Sequence, residues 1–297
     1  MNWKAFYRVI APGWVVLVFG AWFSILLGYT EPRLTISDFP GGSNGALIAA
    51  IGVAIAGLLV LRFLQRRHEA NQWEAAGRQA GLSPVGDGSS DGALELTGSI
   101  DGRPVTARYV TRREPQGYEG RHQTGSGEGN STSRVTYTVV EAELSGAADG
   151  GVIASSAAGA GMFGIGDTSE AASGTEGVFT VAEDGLFLMG TPPAAVEAVS
   201  DGQSGRALRA IRDLQIVTVG DASGVAARLT EEVDGRSMFG VETGDVIPKD
   251  IPNDETTVYV ETMAFIRDGD ELRRFAEGAV AVADAFEAAT ARTPAPE

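Results

Sequence analysis

Apolar residues occur along this chain in two regimes. In residues 9–30 (VIAPGWVVLVFGAWFSILLGYT) and again in 39–61 (FPGGSNGALIAAIGVAIAGLLVL) they form runs without a single charge. Beyond residue 65 they recur in short groups, alternating with polar positions or spaced for one face of a helix. Each run is long enough to cross a bilayer core of roughly 30 Å as a helix. The pattern predicts a transmembrane helical hairpin over residues 9–64, with spans at about 9–30 and 45–64 and an exterior loop at 31–44. The first run ends Leu27-Gly28-Tyr29-Thr30-Glu31, without the small-x-small site of a cleaved signal peptide.

Flanking charge orients the hairpin. Lys4 and Arg8 lie in the N-terminal flank (1–8), and Arg62, Arg66, Arg67 and Arg78 follow the second span. The connecting loop holds only Arg33, beside Glu31 and Asp38. Positive charge stays inside, so both termini are expected to be cytoplasmic and the protein a multi-pass component of the cell membrane. Trp3, Phe6, Tyr7 and Tyr29 sit where interfacial aromatics belong. Small residues recur every four positions at Gly20, Ser24 and Gly28, and at Ala46, Ala50 and Ala54 with Gly52 and Ala56 adjacent. Such ridges let helices approach closely, either within the hairpin or between copies.

The remainder reads as an α+β domain. Residues 65–81 continue the second span as a juxtamembrane helix that stops at Gly81, and 82–290 form one acidic soluble region. Strands are predicted at Leu94–Ile100 and Pro104–Arg112, joined by the hairpin signal Asp101-Gly102, then at Arg134–Leu144 and Gly151–Ser156, as an antiparallel meander. Residues 115–133 and 157–177 are rich in Gly and Ser and read as mobile loops. Further strands are expected at Gly177–Ala182, Leu186–Gly190, Gln215–Val219, Val225–Glu232 and Thr256–Phe265, with helices at Pro192–Ser200 and Ser204–Leu214. A last helix, capped by Asp268 or Asp270, carries the apolar stripe Leu272, Phe275, Ala276, Ala279, Ala283 and Phe286. The tail, 291–297, reads as disordered. Runs of strands with separate helices argue for antiparallel sheet with packed helices.

Composition narrows the chemistry. The formal charge is −16, and the chain has no cysteine and two histidines, which excludes disulfides, thiolate sites and any three-histidine metal centre. Lys4 and Lys249 are the only lysines. A surface so acidic repels phosphate backbones, so no nucleic-acid partner is expected. Abundant Asp and Glu with scarce Lys resembles the proteins of halophilic archaea, and most carboxylates are read first as hydration.

Candidate motifs are weak against that background. Gly159–Gly164 matches GxGxxG, but no amphipathic helix follows to receive a pyrophosphate. Gly88–Gly92 matches GxSxG, but a strand follows where a nucleophile elbow needs a helix, and neither His68 nor His122 is well placed as a base. Glu141 and Glu143 share a strand face, and Asp268, Asp270 and Glu271 cluster before the last helix. The latter three are the candidate metal ligands, set against helix capping and a hydrated face. Arg112 and Arg113 are candidate anion contacts. Asn130-Ser131-Thr132 is a glycosylation sequon that matters only if the domain is exterior.

Ile100–Val105 (IDGRPV), Tyr137–Leu144 (YTVVEAEL) and the GD…FTVAED…LFL pattern of Gly166–Leu188, behind two spans and a helix, resemble a family of uncharacterised haloarchaeal membrane proteins. Residues 171–176, unusually rich in small side chains, depart from that pattern. The resemblance implies two N-terminal transmembrane helices and a cytoplasmic α+β domain, with no activity attached. The expected function is a membrane-anchored interaction or regulatory module. Its partners are the bilayer and either another protein or its own copy, with no cofactor. The alternative is a membrane-tethered enzyme or cation-dependent small-molecule module using clustered carboxylates.

Overall fold

The computed structural model describes residues 3–26, 42–85, 95–115, 132–146, 150–156, 178–226 and 255–291. The chain divides into two compact units, Met1–Gln72 and Trp73–Glu297. The expected loops at 115–133 and 157–177, the exterior loop at 31–44 apart from its last three residues, which belong to a helix, the GxGxxG and GxSxG matches, the sequon and the tail at 291–297 lie wholly or almost wholly outside the described residues.

The first unit contains helix α1 (Trp3–Leu26) and most of helix α2 (Gly42–Ala80). Leu47 begins the one helical stretch among the described residues long and apolar enough to cross a membrane, and α1 offers a shorter apolar stretch, Ile10–Ala21. Of the two spans expected from sequence, then, only the second coincides with a helix of that length and apolarity. Ala11, Val18 and Ala54 are buried, and the Trp14 indole lies against Gly57, where any Cβ would collide with it. Positions 11, 14 and 18 share one face of α1 at helical spacing. Gly20 and Gly52 have open space beside them, so they lie off this contact. Ala50 is half-buried, whereas the Ser24 and Ala46 side chains and Gly28 are outside the described set.

α2 is a single helix of 39 residues. That is about 58 Å at 1.5 Å per residue, nearly twice a hydrocarbon core. Gly81, at φ +87°, ends it in the left-handed conformation that glycine adopts without strain.

The second unit is built on one nine-stranded sheet. Its strands are β1 (Leu82–Val85), β2 (Glu95–Ile100), β3 (Arg103–Pro115), β4 (Thr132–Glu143), β5 (Gly151–Ser156), β6 (Phe179–Glu183), β7 (Leu186–Thr191), β8 (Leu214–Gly220) and β9 (Thr257–Thr262). The spatial order is β1-β2-β3-β4-β9-β8-β5-β7-β6. All eight pairings are antiparallel. The two tight hairpins turn on Asp101-Gly102 and Asp184-Gly185, each with positive φ at both residues, as a type I′ turn requires. The α+β class with an antiparallel sheet is therefore as expected, but the first four long strands are not a simple meander. β9 and β8, late in the chain, separate β4 from β5.

Boundaries differ in places. β1 was not expected, because Pro84 hides a four-residue edge strand. Residues 222–226 form a helical turn that takes in the first two positions of the strand expected at Val225–Glu232, the rest of which lies outside the described residues. The second middle helix ends at Ala210, and Leu214 already belongs to β8.

Helices α3 (Pro193–Ser200), α4 (Gly202–Ala210) and α5 (Gly269–Thr290) cover one face of the sheet, together with the last turns of α2. Alternation along each strand sends Val140, Ala142, Val258, Val260, Val217 and Val219 to this side, where Leu272, Phe275, Ala276, Ala279, Ala283 and Phe286 of α5 meet them. Trp73, at 0% exposure, packs edge-on against Tyr109 and tilted against Phe265, with centroids 5.6 and 6.0 Å away. Because Phe286 is fully buried between α5 and Gly220, Phe286→Ala is expected to cost about 3–5 kcal/mol. A thermal unfolding midpoint within 1 °C of the parent in near-UV circular dichroism of the full chain in detergent would contradict this packing.

Candidate functional site

The sheet's second face holds the buried charge of the unit. Strand parity places Arg108, Val110 and Arg112 of β3, Tyr137, Val139 and Glu141 of β4, Tyr259 and Glu261 of β9, and Ile216 and Thr218 of β8 on this side. A smaller apolar cluster forms around Val139, Ile153, Met189 and Ile216.

Within it Glu261 is only 2% exposed. An ionised carboxylate taken so far out of water needs a counter-charge and hydrogen bonds to all its lone pairs. Arg112 meets it as a fork, with Nη1 3.0 Å from Oε1 and Nη2 2.9 Å from Oε2. The buried Tyr259 hydroxyl donates to Glu261 Oε2 and accepts from Arg112 Nη2 at 3.3 Å. The guanidinium carbon lies 5.1 Å from the Tyr137 ring centroid, within cation–π range. Beside this group Arg108 forks onto Glu141 at 2.6 and 3.3 Å.

Burial pushes the Tyr259 phenol well up, and the Glu261 carboxylate adds to that. Burial alone would lower the Arg112 guanidinium, but Glu261 and Tyr259 outweigh it and the net direction is upward. Every charge is thus neutralised and every proton held. The arrangement suits a tie between β3 and β9 across β4 better than proton transfer.

On the helical side a shallow groove of about 390 Å³ lies between the β2–β3 turn, the α3–α4 junction and α5. Asp101, Asp201, Glu277 and Asp284 line it over Ala198, Val280 and Ala281. Two of the four carboxylates are engaged, Asp284 with Arg103 at 2.6 Å and Glu277 with Arg273 at 2.8 Å. Arg103 also forks onto Glu287 at 2.8 and 3.0 Å, and Glu287 accepts from the Ser145 amide and hydroxyl. The hydrogen bond from Arg103 holds the Glu287 carboxyl below the usual range, against an opposing contribution from burial.

The residues singled out in the sequence are accounted for mainly by structure. Asp268 caps α5, its carboxylate accepting from the Glu271 amide at 2.9 Å. Asp270 accepts from the Gln79 side chain at 3.1 Å, which ties α5 to the end of α2. No group of three or more His, Asp or Glu side chains suited to a metal ion occurs among the described residues. Glu141 is taken up by Arg108, and Glu143 offers its carbonyl to Arg103. Arg112 pairs with Glu261, and the Arg113 side chain is outside the described set. Glu261 itself was missed, although a lone Glu inside the apolar strand TVYVET marks it.

No family model matches the chain, and no curated protein does. The crystal structure of the mycobacterial trehalose monomycolate transport factor A, TtfA, is similar at a TM-score of 0.38 and 8% identity, over 78% of this chain and 99% of that one. A likeness that slight says nothing about the activity of this chain.

Glu261→Gln is expected to cost about 3 kcal/mol, because it leaves Arg112 partly buried without its counter-charge. Denaturant unfolding with no shift in midpoint would show the fork to be idle. Two limbs follow for stability against pH. Glu287 titrates lower in the folded chain than in the unfolded one, so its contribution is present above about pH 4.3 and is lost as the pH falls further. Tyr259 titrates higher when folded, so its contribution is present below about pH 10 and is lost as the pH rises beyond it. Tyr259→Phe should flatten the alkaline limb alone, and Glu287→Gln the acid limb alone, in midpoints measured from pH 3 to 11.

Proposed function

We propose that this chain is a membrane-anchored module, held at the cytoplasmic side of the cell membrane, whose α+β unit binds a protein partner or a second copy of itself. The observation that carries the reading is α2. Ile48, Val53, Ile55, Leu59, Val60 and Phe63 are exposed along a helix that then turns basic at Arg62, Arg66 and Arg67. Water does not tolerate apolar surface over such a length, whereas lipid matches it and the helix satisfies its own backbone. α1 supplies the other arm of a two-span hairpin, with Lys4 and Arg8 keeping the N-terminus inside. An acidic, lysine-poor composition supports a haloarchaeal membrane protein.

Binding is favoured over catalysis because the deeply buried carboxylate, Glu261, is neutralised by Arg112 and Tyr259. The alternative, an enzyme or cation-dependent small-molecule module, draws on the carboxylate groove beside α5.

The full chain is expected to stay in membranes through an alkaline carbonate wash, and protease added to intact cells should spare the α+β unit. Mild-detergent purification followed by chemical cross-linking should capture a partner or a dimer. Release by carbonate refutes the anchor, and a chain that captures neither partner nor copy refutes the interaction module.

A further inference from the structure

The two margins of the sheet differ. β1, at one end of the strand order, contains Pro84, which has no N–H to offer a further strand. β6, at the other end, runs Phe179-Thr180-Val181-Ala182-Glu183, with no proline, glycine or lysine to guard it. Its one charge, Glu183, is engaged by Arg209 at 3.3 Å. An edge strand in this state is a template for pairing with another chain.

The hairpin register decides which groups β6 presents. Glu183 and Leu186 close the two-residue turn, so they form a hydrogen-bonded pair. Pairs alternate from there, so Val181↔Leu188 and Phe179↔Gly190 are bonded as well. The N–H and C=O groups of Thr180 and Ala182 therefore point away from β7. No backbone group meets them among the described residues. Side chains divide between the faces: Phe179 and Val181 are half-buried on the helical side, and Ala182 is exposed on the other.

This edge fits a second copy of itself. Two β6 strands set antiparallel about a two-fold axis at Val181 bring Thr180 of each opposite Ala182 of the other. Both residues have outward groups, so each such pair exchanges two hydrogen bonds, and the two pairs make four. Val181 meets its own counterpart on the helical side, where both rest against apolar cores. Glu183 faces Phe179 of the other copy, so no like charges stand opposite each other. A strand of another sequence would have to match this alternation, whereas β6 already matches itself.

We propose that β6 pairs antiparallel with β6 of a second copy, joining two sheets edge to edge. The proposal rests on the membrane-anchored interaction module above and commits it to one partner. Strands of 5 residues meet over only about 17 Å, a weak contact in dilute solution. Confinement of both copies to one membrane raises their effective concentration, which lets a short edge suffice.

Because the chain has no cysteine, cross-links report the register directly. V181C and A182C are made singly in the full-length protein, and isolated membranes are oxidised with copper phenanthroline. At the two-fold axis the Cα atoms of residue 181 lie about 4.5 Å apart, within disulfide reach. Those of residue 182 lie about 8 Å apart, beyond it. V181C is therefore expected to give a disulfide dimer, and A182C, although more exposed, little or none. T180C co-expressed with A182C should link as well. In V181C/A182P the dimer should weaken by about thirtyfold, because proline removes two of the four bonds and none of the β6–β7 ladder. Near-UV circular dichroism of A182P should match the parent. No linkage of V181C, or more from A182C than from V181C, overturns the edge pairing. A dimer or captured partner that persists in folded A182P also overturns it, while leaving the interaction module standing. A chain that captures neither copy nor partner overturns both.

Discussion

A single antiparallel sheet of nine strands has two faces to remove from water, and α5 covers the middle of one of them. Its stripe from Leu272 to Phe286 reaches β2, β3, β4, β8 and β9, and α3 and α4 lean on it from the side. Burying such a stripe offsets the entropy of ordering strands that lie far apart in sequence. β4 and β9 are neighbours in the sheet, yet more than a hundred residues of chain separate them. Without α5 to hold them over one apolar surface, nothing local brings those strands together.

The second face solves the same problem with charge. Glu261, Arg112 and Tyr259 sit where an apolar residue would pack, and they satisfy one another. A buried pair of this kind adds little net stability over a well-packed apolar group, but losing one partner is costly. Its effect is to fix geometry: Arg112 lies in β3 beyond its last pair with β2 and reaches across β4 to β9. The fork therefore ties the part of β3 beyond its last pair with β2 to the middle of the sheet. Arg103 performs a similar office on the helical side, joining the β2–β3 turn to α5 through Glu287 and Asp284.

These ties also explain why the acidic surface yields so few candidate reaction centres. In a chain with 39 Asp and Glu residues, the carboxylates beside the core are capped, forked or bridged. Asp268 serves the end of a helix, Glu141 answers Arg108, and Glu287 answers Arg103 and Ser145. What remains open is the groove beside Asp101 and Asp201, a shallow and exposed surface.

Some of this was legible in the sequence and some was not, for physical reasons. Alternation in YTVVEAEL, the Asp-Gly hairpin turns, the capped stripe of the last helix and the apolar run ahead of Arg62 are local patterns, and each reports its own element. They determined the elements, the α+β class and the helix that can enter lipid. Period-two alternation says which residues share a face but not which strand lies alongside, so the insertion of β9 and β8 between β4 and β5 was decided only by tertiary packing. The same holds for Glu261: in the sequence it is one Glu among many, and only the register of β3, β4 and β9 gives it Arg112. The α1–α2 contact of Trp14 with Gly57 was likewise decided only by tertiary packing, because the spacing of small residues marks where helices are able to approach, while the bulk of a neighbouring indole decides where they do.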